Sequence, residues 1–229
     1  MGVKDRPADF PLFPIAICDT CVLLLPIVRD ILIGLGEAGM FYPRWSNDIY
    51  AEWRSIPSKN KSFTPEKLAY LDKRTIRSYW LMNRYIPKGL VSGYRKHIRQ
   101  LQLRDPKDRH VLAAGLEADA QFIITSNLRD FRQGEPDVLL IPPIHPDAFI
   151  LGIADGFPNE VVDVLHEHRE RLKKPPLSPQ EYLEKLHRNG LSETVEFFKP
   201  YAWDRTPEEY DLEEYECANQ KTDEDIAPK

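Results

Sequence analysis

Apolar residues fall in short blocks separated by polar punctuation. Ile15-Ala16-Ile17-Cys18, bounded by Pro14 and Asp19, reads as a short buried strand. Residues 22–38 are mostly apolar and predict a helix entered at Thr20 or Cys21, with Pro26 in its first turn or at a kink and Gly39 as its stop. Ser46 suits an N-cap and Asp48 a first helical turn, for a helix that runs to Ser55 or Ile56 and ends before Pro57. Residues 65–103 carry a helical pattern rich in Lys, Arg and Tyr, interrupted near Pro87–Gly89. Asp105, Pro106 and Asp108 then occupy cap, first and first-turn positions of a helix reaching 118. Gln121–Thr125 predicts a second buried strand, and Val138–Ile141 a third, closed by Pro142-Pro143. Strands alternating with helices predict an α/β fold with a parallel sheet.

After about residue 151 the strand signal ends. A helix is expected over 159–172, with Val161, Val162, Leu165 and Leu172 inward. Ser178, Pro179 and Glu181 form a capping-box signature for another, and a third covers 192–199. The expected organisation is an α/β domain at 10–150, containing a basic helical segment at 59–104. A helical extension at 151–203 and an acidic, poorly ordered tail at 204–229 follow.

Composition narrows the class. The 229 residues are 42% hydrophobic and 29% charged, ordinary values for a soluble globular chain. No apolar run approaches the ~18 residues of a membrane span. MGVKDRPADF lacks the apolar segment of a secretory signal, so a cytoplasmic protein is expected, with no membrane partner. Three cysteines exclude a disulfide framework. The net charge of −5 averages unlike segments: residues 59–109 hold fourteen Lys/Arg against four acids, and 204–229 hold ten acids against three bases. That asymmetry suits either a polyanionic partner or a solvated helical face.

Four acids stand where acids are awkward. Asp19 directly follows a buried strand, and Asn127 and Asp130 follow the next one, at the strand ends where open parallel sheets bind ligands. Capping of the following turns explains Asp19 and Asp130 almost as well. Ile49, Glu52, Trp53 and Ile56 share helical spacing, which puts the Glu52 carboxylate in an apolar stripe or at its solvent edge. Asp108 precedes Val111, Leu112 and Gly115 at helical spacing and so points toward the packed face, whereas Asp105 is the better cap. Carboxylates from separate elements suit a hard cation such as Mg²⁺ or Mn²⁺, which can activate water against a phosphodiester.

Rival motifs are weaker. Gly34-Leu35-Gly36-Glu37-Ala38-Gly39 spells a dinucleotide-binding pattern but closes a helix instead of opening one. Cys18-Asp19-Thr20-Cys21 has redox spacing, yet that reading leaves the other acids unexplained. His166 and His168 are two apart and share no helix face.

IAICDTCVLL, PRWSNDIYAEW, RDPKDRHVLAAGLEADAQFIITSNLRDF and IHPDAFI, in that order over residues 10–150, resemble PIN-domain nucleases, in particular the VapC-type toxins of bacterial toxin–antitoxin pairs. The resemblance implies a PIN-like three-layer fold around a parallel sheet, with the C-terminal helices resembling an extension that some such toxins carry. It implies metal-dependent hydrolysis of RNA, a cognate antitoxin and frequent homodimerisation, for which no interface is readable. By motif, Asp19, Glu52, Asp108 and Asp130 would be the catalytic, metal-holding acids, supported by Thr20, Asp105, Ser126 and Asn127. Many relatives place an acid where Asn127 stands, so either Asp130 or the Asn127 amide oxygen completes the set. Arg95, Lys96 and Arg99 are candidate RNA contacts, and Tyr70, Tyr79, Trp80, Tyr85 and Tyr94 suit either base stacking or core packing. A catalytically silent RNA-binding module on the same fold, or a nuclease acting on DNA, are the alternatives.

Overall fold

A computed structural model describes residues 7, 10–101, 103, 105–131, 141–199 and 201. β1 (Ile15–Cys18) lies at the centre of a sheet, and β2 (Tyr42–Ser46) and β3 (Leu90–Val91) add to one side of it. β4 (Phe122–Ile124) and β5 (Pro143–Ile144) add to the other, giving the order β3-β2-β1-β4-β5. Every pairing is parallel. The chain runs outward from β1 to β3, then returns to build β4 and β5 on the opposite side. The switch in direction therefore falls between β1 and β4, where ligands sit in open α/β sheets.

The predicted helix at 22–38 is two. α1 (Thr20–Leu23) is one turn, and α2 (Pro26–Glu37) starts afresh with Pro26 in its first turn, where the missing N–H costs nothing. Gly39 ends it at φ +79°, as expected. The glycines of the dinucleotide-like pattern serve packing: a Cβ on Gly34 would stand 2.9 Å from Val164, and one on Gly36 2.6 Å from Pro43. β2 escaped the sequence reading because Pro43 and Arg44 break its apolar pattern. α3 (Asn47–Ser55) is capped by Ser46, whose hydroxyl accepts from the Ile49 N–H at 3.2 Å.

The basic segment resolves into α4 (Pro65–Tyr85), β3 and the single turn α5 (Arg95–Ile98). A 3-10 turn at Pro106–Asp108 leads into α6 (Arg109–Glu117), and α7 (Leu128–Phe131) follows β4. Of the strand expected at 138–141, only Ile141 is among the described residues, and 138–140 lie outside them. Ile141 is buried in a bend, and the edge strand is Pro143–Ile144. Prolines are tolerated there because the edge needs their carbonyls: Pro142 O accepts from Ile123 N at 3.0 Å.

α8 (Pro146–Ala154) is so thoroughly buried that it carries no amphipathic signal. α9 (Pro158–Arg171), α10 (Pro179–Arg188) and α11 (Ser192–Phe198) match the expected helices, with the Ser178–Glu181 capping box formed. Their Val161, Leu165, Tyr182 and Leu186 are fully buried and join the same apolar core as the sheet. Each such side chain is worth roughly 1.5–3 kcal/mol. The buried His168 ring meets the Tyr182 hydroxyl at 2.7 Å, and burial pushes its pKa down to about 4. Asp147 fastens α8 to α11, accepting from Glu193 N at 2.9 Å, Thr194 N at 2.8 Å and the Thr194 hydroxyl. The acidic tail at 204–229 lies outside the described residues. Among the described residues no helix is long and apolar enough to cross a membrane.

Candidate active site

Asp19 is the first residue beyond β1, held in register by its N–H on Ile124 O at 3.1 Å. Its carboxylate is buried and accepts from Thr20 N (2.6 Å), the Thr125 hydroxyl (2.8 Å) and the Cys21 thiol (3.1 Å). Burial raises its pKa; the Thr125, Cys21 and Thr20 hydrogen bonds oppose the rise, and the nearby Glu52 charge adds to it. Asp19 thus caps the first turn and at the same time lies in the field of the Glu52 charge.

The Thr20 hydroxyl donates to Glu52 Oε2 at 2.6 Å, tying the end of β1 to α3. Ile49 and Trp53 fill the core, while Glu52 sits at the edge of their stripe, half-buried. His110 Nε2 stands 3.6 Å from the same Glu52 oxygen, and Nδ1 of that ring is 2.6 Å from Lys107 O. A carbonyl only accepts, so Nδ1 is the donor. His110 Nε2 is buried without a hydrogen-bond partner.

Asp105 does the capping before α6, accepting from Lys107 N at 2.9 Å. Asp108 makes no side-chain cap bond, which leaves its carboxylate to face the strand ends. Its pKa is pushed up to about 6, first by burial and then by the charges of Asp19, Asp105, Asp130 and Glu52. Across β4, the Thr125 hydroxyl accepts from Asn127 N at 3.0 Å, Ser126 N bonds to the Cys21 sulfur at 3.2 Å, and the Asn127 amide donates to Asp130.

The predicted acids therefore gather at one end of the sheet from four separate elements. The donor set is carboxylate oxygen flanked by Thr and Asn, which suits a hard divalent cation. The side chains are not drawn into one coordination shell: among the described residues no three His, Cys, Asp or Glu side chains are arranged to hold an ion together. Sequence reading missed Thr125 and His110. The first is a polar residue at the end of an apolar strand, the second lies two residues beyond Asp108. Cys18 and Cys21 are free thiols whose pKa values burial raises to about 12 and about 11, so neither is poised for redox exchange.

Of the candidate RNA contacts, Arg95 and Lys96 lie on α5 and Arg99 is its C-cap. Arg95 pairs with Asp48 at 2.6 Å and Lys96 with Glu117 at 2.8 Å, while Arg99 is exposed. Tyr94 is buried and Tyr79 is stacked on Tyr50, centroids 3.8 Å apart; Tyr70, Trp80 and Tyr85 are exposed.

Residues 16–129 match the family model described as PIN domain, and residues 146–200 match a second one, VapC50 C-terminal domain. The chain is a PIN-domain protein. It is also 34% identical over 104 residues to a protein of Mycobacterium tuberculosis (strain ATCC 25618 / H37Rv) named "Putative ribonuclease VapC50". That stretch is 44% of this chain and 61% of the relative's length. No solved structure matches significantly. In this PIN-domain chain the second matched region corresponds to the helices α8–α11 that share the core of the sheet.

Proposed function

We propose that the chain is a divalent-metal-dependent endoribonuclease and the toxin of a toxin–antitoxin pair, working in the cytoplasm. The observation that carries this reading is the placement of four acids at one end of the sheet: Asp19 beyond β1, Glu52 tied to that strand end through Thr20, Asp108 at the head of α6 and Asp130 beyond β4, carboxylates whose mutual repulsion calls for a cation. The PIN-domain match and the relative's printed name support it.

Asp19, Glu52, Asp108 and Asp130 hold the ion, Mg²⁺ or Mn²⁺, in this reading. A cation bound there neutralises charge developing on a phosphodiester and lowers the pKa of a water. The chain's own groups prepare that site. Thr125 and Cys21 fix the Asp19 carboxylate, and Thr20 holds Glu52 toward it. In this reading Asp130 is the fourth acid, and Asn127, whose amide donates to it, is its positioning partner. Asp105 spends its carboxylate on the cap and thereby frees Asp108. A cognate antitoxin protein is expected to silence the enzyme.

The test is cleavage of single-stranded RNA and DNA by the full chain, with Mg²⁺ or Mn²⁺ and with EDTA. RNA cut only with metal is the expected outcome. Cleavage unaffected by EDTA, or DNA cut in preference to RNA, would contradict the reading.

A further inference from the structure

α4 departs from what a packed helix needs. Of its 21 residues only Thr75 and Met82 are buried, although it carries Tyr70, Ile76, Trp80 and Tyr85 at 42–56% exposure. Large apolar side chains gathered on one exposed face mark interaction surfaces. Their spacing is ordered. Tyr70, Arg74, Arg77, Trp80 and Arg84 follow one another at steps of three or four, so they form one continuous stripe about 21 Å long. Lys73 lies beside it.

The stripe is purely cationic. α4 has two acids: Asp72 is gripped by Arg54 of α3 through two bonds of 2.5 and 3.0 Å, and Glu66, one turn before the stripe begins, bonds back into the helix cap at Thr64. Among the described residues no carboxylate pairs with Lys73, Arg74, Arg77 or Arg84. The cations instead rest on the aromatic rings, with Lys67 and Arg74 5.6 and 5.7 Å from the Tyr70 centroid and Arg84 5.3 Å from Trp80.

α4 is also rigidly placed. Tyr79 stacks on Tyr50 and its hydroxyl donates to Asn47 at 2.8 Å, so contacts to Asn47, Tyr50 and Arg54 of α3 hold the middle of the helix, from Asp72 to Tyr79. Those three residues share one face of α3. Glu52 lies about 200° around the helix from both Tyr50 and Arg54, on the opposite face. α4 therefore sits behind α3 as seen from the acids, ~8–10 Å further out by ordinary helix packing.

We propose that the outer stripe of α4 is a docking track for single-stranded RNA, outside the acidic site, with Tyr70 and Trp80 stacking on bases and Arg74, Arg77 and Arg84 contacting phosphates. The choice of single-stranded RNA rests on the ribonuclease reading above; the choice of a single strand rests on the stripe itself. A paired helix offers phosphates but keeps its base faces stacked, so it would leave the aromatics idle. A strand on the track must pass α3 to reach the acids, so substrates of a few nucleotides cannot occupy both.

The test uses the full chain and a fluorescein-labelled, 2′-O-methylated RNA of about 12 nucleotides, a length within the usual range for one stacking surface. Such a probe resists cleavage, and its anisotropy reports binding alone. Tyr70→Ala with Trp80→Ala is expected to weaken binding by about tenfold or more, because each base–aromatic stack is worth that much. Tyr70→Phe with Trp80→Phe keeps the rings and should restore affinity close to wild type. Arg74→Gln, Arg77→Gln and Arg84→Gln together should flatten the slope of log K against log salt by about 2, at ~0.7 per contact. All these side chains are exposed, so unfolding temperatures should stay at the wild-type value. Unchanged affinity in the double alanine variant, or equal binding of the same RNA as a duplex, would overturn the track. So would stripe variants that convert a dimer to a monomer on size exclusion without altering RNA binding, since a second copy would then be the occupant. The two readings fail separately: wild-type protein that cuts RNA but binds the probe independently of α4 refutes only the track. Protein that binds through α4 yet cuts nothing refutes only the nuclease.

Discussion

Two buried aspartates, Asp19 and Asp147, divide the molecule by purpose. Asp19 is 8% exposed and Asp147 5%. Each accepts three hydrogen bonds from nearby groups. Asp147 receives all of its donors from the start of α11 and faces no other acid among those bonds, so it works as a clasp between two helices. Asp19 receives its donors from Thr20, Cys21 and Thr125, and beyond them meets the charge of Glu52 and contributes to the raised pKa of Asp108. A buried acid satisfied by its own chain is architecture. A buried acid that is satisfied and still adds to a pile of like charge marks a place built for something positive.

The largest effect should come from exchanging these two carboxylates for amides. Asp19→Asn keeps the shape and removes a charge from the ion site, so cleavage should fall on the order of a thousandfold, as several kcal/mol of metal-derived stabilisation requires. Its unfolding temperature should hold or rise. Asp147→Asn turns a double acceptor into a group that presents an N–H to the N–H groups of α11. It should cost about 1–3 kcal/mol of stability with cleavage per folded molecule retained. Denaturant melts alongside RNA cleavage separate the two, and a reversal of the pattern would break the comparison.

Asp108 sharpens it through pH. Its folded pKa of about 6 lies above the ordinary 3.8, so the folded state binds that proton more tightly than the unfolded state does. The associated stability is present at low pH and is lost as pH rises from about 4 through about 6. In EDTA, Asp108→Asn should therefore melt higher than wild type at pH 7, with the advantage shrinking to nothing near pH 4. Adding Mn²⁺ should raise the wild-type melting temperature and leave the variant little changed. Equal pH profiles would mean that Asp108 faces no crowd of acids.

Much of this was legible in the sequence, for identifiable reasons. Strong punctuation told the truth: Ser46, Asp105, Ser178 and Gly39 each end or start a helix as their chemistry predicts. The acids were visible because Asp19 and Asp130 follow strands and Glu52 interrupts an apolar face. What was hidden depends on partners far along the chain. β2 is a strand because β1 and β3 flank it, not because Tyr42-Pro43-Arg44 favours one. Thr125 matters only once β4 lies beside β1, and His110 only once α6 brings its ring near Glu52. The aromatics of the basic segment could not be sorted from sequence either. Tyr79 and Tyr94 turned inward to brace α3, while Tyr70 and Trp80 stayed outside.

The central claim is that the acids at the ends of β1 and β4 form a site for a divalent cation, and Mn²⁺ binding tests it without reference to any substrate. Titration of the full chain at pH 7.5, followed by the loss of free Mn²⁺ resonance, should show saturable binding in wild type and in Asp147→Asn. The same titration should show a large loss of affinity in Asp19→Asn. Binding of equal strength in Asp19→Asn and wild type would contradict the account.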